Sequence, residues 1–61
     1  MNRIDPTLNP LEVLIVTDKL REAGVEHYEL RKGNCCIWAT HGLISEYYIF
    51  HDGKLVDIQI D

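Results

Sequence analysis

Hydrophobic residues change their spacing once along this chain, and the change divides it into a helical part and an extended part. In the first part Val13, Val16, Leu20 and Ala23 fall on one stripe at about 100° per residue, the pattern of a helix resting on a core. Asn9 is suited to cap that helix and Pro10 to its first position, and Glu12 completes a capping-box arrangement. Leu8 and Val13 stand where a hydrophobic staple forms. Gly24 suits the left-handed position that ends a helix, and Val25 can then meet Leu20. A helix over 10–23 is predicted. Its opposite side carries Leu11, Leu14 and Ile15, which Ile4 and Leu8 of the lead-in 1–9 are expected to cover.

From Glu26 onward the period is two, as in a half-buried strand. Tyr28 and Leu30 alternate with His27, Glu29 and Arg31. Gly33-Asn34 reads as a two-residue hairpin loop, pairing Leu30 with Ile37 and Tyr28 with Ala39. Asp52-Gly53 is a type I′ hairpin signal, which sets Phe50 opposite Leu55, Ile49 opposite Val56 and Tyr47 opposite Ile58. The join at His41-Gly42-Leu43 decides how the hairpins combine. A two-residue loop aligns Ile37 with Glu46 and places a carboxylate beneath the helix. A three-residue loop aligns Ile37 with Tyr47 and Cys35 with Ile49, and it keeps every core residue on one side. The three-residue loop is therefore expected.

These elements make an α+β fold: one N-terminal helix packed on a four-stranded antiparallel β-meander over 26–60, in the order αββββ. Residues 1–61 form a single small domain. Its predicted core is Val13, Val16, Leu20, Tyr28, Leu30, Ile37, Tyr47, Ile49, Val56 and Ile58. The other face of the sheet then holds Cys36, Trp38, Tyr48, Phe50 and Leu55, rimmed by Glu29, Arg31, Glu46 and Asp57. One helix cannot cover both faces. An apolar aromatic centre inside a charged rim is the composition of a recognition surface.

Composition narrows the function without naming it. Sixty-one residues with a 46% apolar share suit a small globular domain, whose single core supplies only about 3–5 kcal/mol. A net charge of −4 argues against tracking a nucleic-acid backbone, which calls for a basic surface. No apolar run reaches the roughly 18–20 residues of a membrane span, and the N-terminus lacks the apolar stretch of a signal peptide, so a cytoplasmic protein is expected. Adjacent cysteines fit neither a disulfide framework nor a C-x-x-C redox pair. Neighbouring strand residues point to opposite faces, so Cys35 is expected in the core and Cys36 at the surface, and the two cannot readily chelate together. His27, His41 and His51 lack zinc-ligand spacing with them. No cofactor or metal is predicted.

Cys36 as a nucleophile needs a base or a nearby cation, and Arg31 and His27 share its predicted face. The run Arg31-Lys32-Gly33-Asn34-Cys35-Cys36-Ile37-Trp38, after a helix ending in Gly and before the Asp52-Gly53 hairpin, resembles the small HicA-type mRNA interferases. That resemblance implies a catalytic histidine near Cys35 or Cys36. This chain has cysteine there, is acidic, and is predicted to have no helix after its sheet.

The expectation that results is a small, cytosolic, non-catalytic protein-binding or regulatory protein of inhibitor or adaptor type, as in phage and bacterial accessory systems. It would use Glu29, Arg31, Cys36, Trp38, Glu46, Tyr48, Phe50 and Leu55 for a homodimer or partner contact, without direct nucleic-acid or membrane binding. One alternative is a small nuclease or thiol-dependent hydrolase centred on Cys36, His27 and Arg31. Another is an acidic competitor of a nucleic-acid-binding protein.

Overall fold

The computed structural model describes residues 2–61. Its helix, α1 (Pro10–Glu22), begins and ends as its sequence dictates. The Asn9 side chain accepts from the Leu11 N–H at 2.9 Å, meeting one of the donors a helix start leaves unpaired. At the other end the Val25 N–H donates to the Leu20 carbonyl and the Gly24 N–H to the Arg21 carbonyl, the two bonds of a Schellman ending. Gly24 sits at φ 79 with no atom near the position a Cβ would take. Gly24→Ala therefore meets no clash, only the left-handed backbone. It is expected to cost about 1 kcal/mol in a denaturant titration, and Gly24→Asn less.

The fold is α+β, but its sheet is five-stranded and mixed rather than a four-stranded meander. A short strand, β1 (Arg3–Ile4), precedes the helix and pairs in parallel with β2 (Glu29–Lys32). The Asp5 N–H donates to the Leu30 carbonyl at 3.0 Å. Parallel neighbours need a long crossover, and α1 supplies it. Asp5 then turns the chain toward the helix by accepting from the Thr7 N–H and hydroxyl, which hold its carboxyl below the usual carboxylate range. The lead-in is thus part of the sheet. It buries Leu8 in the core but leaves Leu11 and Leu14 exposed.

Antiparallel pairing continues through β3 (Cys36–His41), β4 (Ile44–His51) and β5 (Lys54–Ile60), in spatial order β1-β2-β3-β4-β5. The β2–β3 loop is Asn34-Cys35, one residue later than expected. It pairs Leu30 with Ala39 instead of Ile37, a two-residue slip that preserves faces. Cys35, at φ 58, is an exposed loop residue and not a core one. Asp52 and Gly53 have φ of 51 and 77, the two left-handed residues of a type I′ turn.

The β3–β4 join reverses the expected faces. Its loop is the two residues Gly42-Leu43, with Gly42 at φ 59 in the first position, where a type II′ turn prefers glycine. Ile37 lies opposite Tyr48 and not Tyr47. A one-residue shift moves every β4 side chain to the other face. Tyr48 is therefore buried at 3% exposure with Val16, Leu20, Leu30, Ile37, Ala39 and Leu8. Phe50 and Leu55 pack against this cluster with Val13, Val25 and Tyr28. Tyr47 and Ile49, expected in the core, lie on the opposite face. Val56 and Ile58, also expected there, are exposed: a register shift between Ile49 and Phe50 leaves Val56 as an extra residue in β5, and Ile58, though on the helix side opposite Tyr48, lies on the edge strand.

This register does place a carboxylate on the helix side, and the structure accommodates it. Glu46 Oε1 accepts from the Tyr48 hydroxyl at 3.2 Å and lies 2.9 Å from His41 Nε2. A half-buried carboxylate with such partners avoids most of the cost of leaving water. Among the described residues no helix is long and apolar enough to cross a membrane.

Candidate functional site

Residues directly opposite one another in a ladder share a face, so the pairing defines the side of the sheet away from α1. Three rows cross it. Glu29, Thr40 and Ser45 form one, Arg31, Trp38, Tyr47 and Gln59 the next, and Cys36, Ile49 and Asp57 the third. No helix or strand among the described residues lies over these rows.

The middle row is a continuous stack. The Arg31 guanidinium carbon lies 4.4 Å from the Trp38 ring centroid, a cation–π contact. Trp38 stacks in turn on Tyr47, with centroids 5.7 Å apart and planes 20° from parallel. Glu29 Oε1 stands 3.3 Å from Arg31 Nε, and its other oxygen stands 3.9 Å from Arg3 Nη1. These exposed ion pairs contribute little stability, but they hold Arg31 flat against the indole. Where the Gly33–Cys36 turn meets Tyr47, Ile49 and Gln59, the face dips into a shallow depression of ≈ 380 Å³. The face thus has an aromatic and aliphatic centre, one arginine held against the indole, and acidic residues at its margins.

Four of the eight residues expected here are present: Glu29, Arg31, Cys36 and Trp38. Glu46, Tyr48, Phe50 and Leu55 are on the helix side because of the β3–β4 register. Tyr47 and Ile49 take the places of Tyr48 and Phe50, a change that the glycine-first loop at Gly42-Leu43 signals, and Asp57 lies at the margin as expected. Arg31 and Cys36 share the open face in adjacent rows, with the Arg31 guanidinium against Trp38, and His27 is an exposed residue before β2 begins. Among the described residues no three His, Cys, Asp or Glu side chains cluster closely enough to hold a metal ion.

The sequence pattern also did not foresee the His41–Glu46–Tyr48 network under the helix. Burial pushes the Tyr48 phenol up to about 12, and the neighbouring Glu46 charge and its hydrogen bond add to the shift. A tyrosine kept neutral in this way serves as a structural donor, the reverse of an activated nucleophile. No family model matches the chain, and no curated protein or solved structure matches it.

Proposed function

We propose that this chain is a small non-catalytic binding protein, cytoplasmic and regulatory in role, that docks its uncovered sheet face onto another protein. The observation that carries the reading is the Arg31–Trp38–Tyr47 stack on a face that no helix or strand among the described residues covers. Tryptophan, tyrosine and arginine dominate the energetics of protein contacts, because each offers a large rigid surface together with a polar group. The net charge of −4 selects the partner's chemistry: a basic rim around an apolar centre, steered to this surface by its charge. The partner class is thus a basic protein surface, and occupying it would exclude that protein's own ligands.

Trp38 is the only tryptophan, so its fluorescence reports the face directly. A partner isolated from the native host and then purified is expected to blue-shift that emission on titration. Trp38→Ala should weaken its binding by about 30-fold or more, measured by calorimetry. Leu43→Ala, at the tip of the β3–β4 hairpin, should leave it unchanged. Equal binding by Trp38→Ala refutes the proposal. So does a self-associated chain whose assembly Trp38→Ala dissolves, since a second copy would then occupy the face.

A further inference from the structure

The two edges of the sheet are treated differently. β1 closes one edge with two residues, whereas β5 runs along the other for seven. Long edges are usually blunted by proline, charge, a β-bulge or a covering element, because their unpaired main-chain groups are a template for another strand. β5 has no proline and its only lysine at its first residue, and beyond its bulge at Val56 the stretch 57–60 runs in regular register.

The direction of its free groups can be read from one bond. The Asp61 N–H donates to the Ser45 carbonyl at 2.9 Å. Main-chain groups alternate in direction along an antiparallel strand, so those of Gln59 and Asp57 also point toward β4, and those of Ile58 and Ile60 point outward. The Ile58 N–H fits this, being met at 2.9 Å by the carboxylate of its own neighbour Asp57. Beside this edge three β-branched side chains are left in water. Val56, Ile58 and Ile60 are 58%, 39% and 74% exposed, and the last two are paired with Tyr48 and Glu46 on the helix side.

We infer that a second copy of this chain pairs antiparallel along β5, about a two-fold axis through Ile58. The register follows from hydrogen bonding and charge together. An axis at Ile58 opposes Ile58 to its copy, Val56 to Ile60, and Asp57 to Gln59, whose amide, 3.2 Å from the Asp57 carboxylate of its own chain, can donate to that of the copy instead. Moving the axis to Asp57 opposes that carboxylate to itself, and moving it to Gln59 opposes Asp57 to Asp61. Like charges directly opposite destabilise a ladder. In the Ile58 register the outward groups of Ile58 and Ile60 meet partners, and the three aliphatic side chains of each copy close over one another. Two five-stranded sheets become one of ten strands. Both helices lie on one side and both Trp38 faces on the other, so a partner with two sites would gain avidity.

Sedimentation equilibrium over a concentration series tests this. The wild-type chain should reach twice its monomer mass. Ile60→Lys, at a position already in solvent in the monomer, should weaken the dimer at least tenfold with an unchanged circular dichroism spectrum. Chemical N-methylation of Ile58 removes its outward donor, together with that donor's bond to Asp57, and should do the same. Amide exchange at Ile58 and Ile60 should slow as the dimer forms. A wild-type chain that stays monomeric at its solubility limit overturns the proposal and leaves the edge to a strand of a foreign protein. A dimer that survives both changes, or one that yields to Trp38→Ala and not to Ile60→Lys, overturns it too. Face binding and edge pairing thus fail separately.

Discussion

Leu20→Ala is expected to leave most of the chain unfolded at room temperature. Leu20 is 1% exposed and belongs to a seven-member core with Leu8, Val16, Leu30, Ile37, Ala39 and Tyr48. Truncating such a leucine removes its transfer free energy and leaves a cavity, together about 2–5 kcal/mol. A core of this size supplies only about 3–5 kcal/mol in the first place. The Leu20 carbonyl also accepts from the Val25 N–H, so the residue that the core holds in place is also the one on which the chain turns from the helix toward β2. The control is chemically identical and differs only in place. Leu14→Ala, where the leucine is 56% exposed, should change stability by less than about 0.5 kcal/mol. Urea titrations followed by circular dichroism separate the two. Equal losses from both would mean that α1 presents a different face to the sheet.

The same contrast explains which parts of the fold were legible in the chain. Helix ends and the Asp52-Gly53 turn are decided by residues within a few positions, and Asn9, Gly24 and Gly53 act there as their chemistry requires. β1 is different. Two residues have no periodicity to read, and Arg3 and Ile4 become a strand only because the crossover helix returns β2 beside them. The β3–β4 register failed for a more instructive reason. Keeping carboxylates away from the helix is a sound rule for an unpartnered Glu46, and it rejected an alignment that shares its faces with the one the chain adopts. His41, two positions along β3 from Ala39, and Tyr48, two along β4 from Glu46, supply the missing partners. A buried polar network is non-local, so a pattern of apolar and polar letters undervalues it.

The consequence for the site is visible residue by residue. The β2–β3 ladder slipped by two residues, which returns every side chain to its expected face, so Glu29, Arg31, Cys36 and Trp38 are where the alternation put them. The β3–β4 ladder slipped by one, which exchanges Tyr48 for Tyr47 and Phe50 for Ile49. The aromatic character of the open face survives this exchange, because β4 carries apolar residues at both parities from Tyr47 to Phe50. That redundancy hid the register. It is also why the binding proposal keeps its chemistry while half of its residues change.

Tyr48 provides a direct check on this register through alkaline pH. In an unfolded chain its phenol ionises near pH 10. In the folded protein burial and the Glu46 carboxylate hold it neutral up to about 12. Between those values the unfolded state gives up the proton more readily, so unfolding becomes more favourable as pH rises. The stability contributed by neutral Tyr48 is complete below about pH 10 and is lost as pH rises through about 12. Tyr48→Phe removes the titrating group. It also removes one of the bonds to Glu46, so the variant should be less stable than the wild type near neutrality by about 1 kcal/mol. Its stability should then fall less steeply through the alkaline range, and the gap between the two proteins should close as pH approaches 12. Urea midpoints measured in steps from about pH 9 to about pH 12 give the slopes. Phenolate absorbance should show Tyr48 ionising late, together with unfolding, in a step that Tyr48→Phe lacks. Parallel slopes for the two proteins would place Tyr48 in solvent and return Tyr47 to the core. Converging slopes establish the Gly42-Leu43 turn, and with it the uncovered face on which Trp38 and Tyr47 stack.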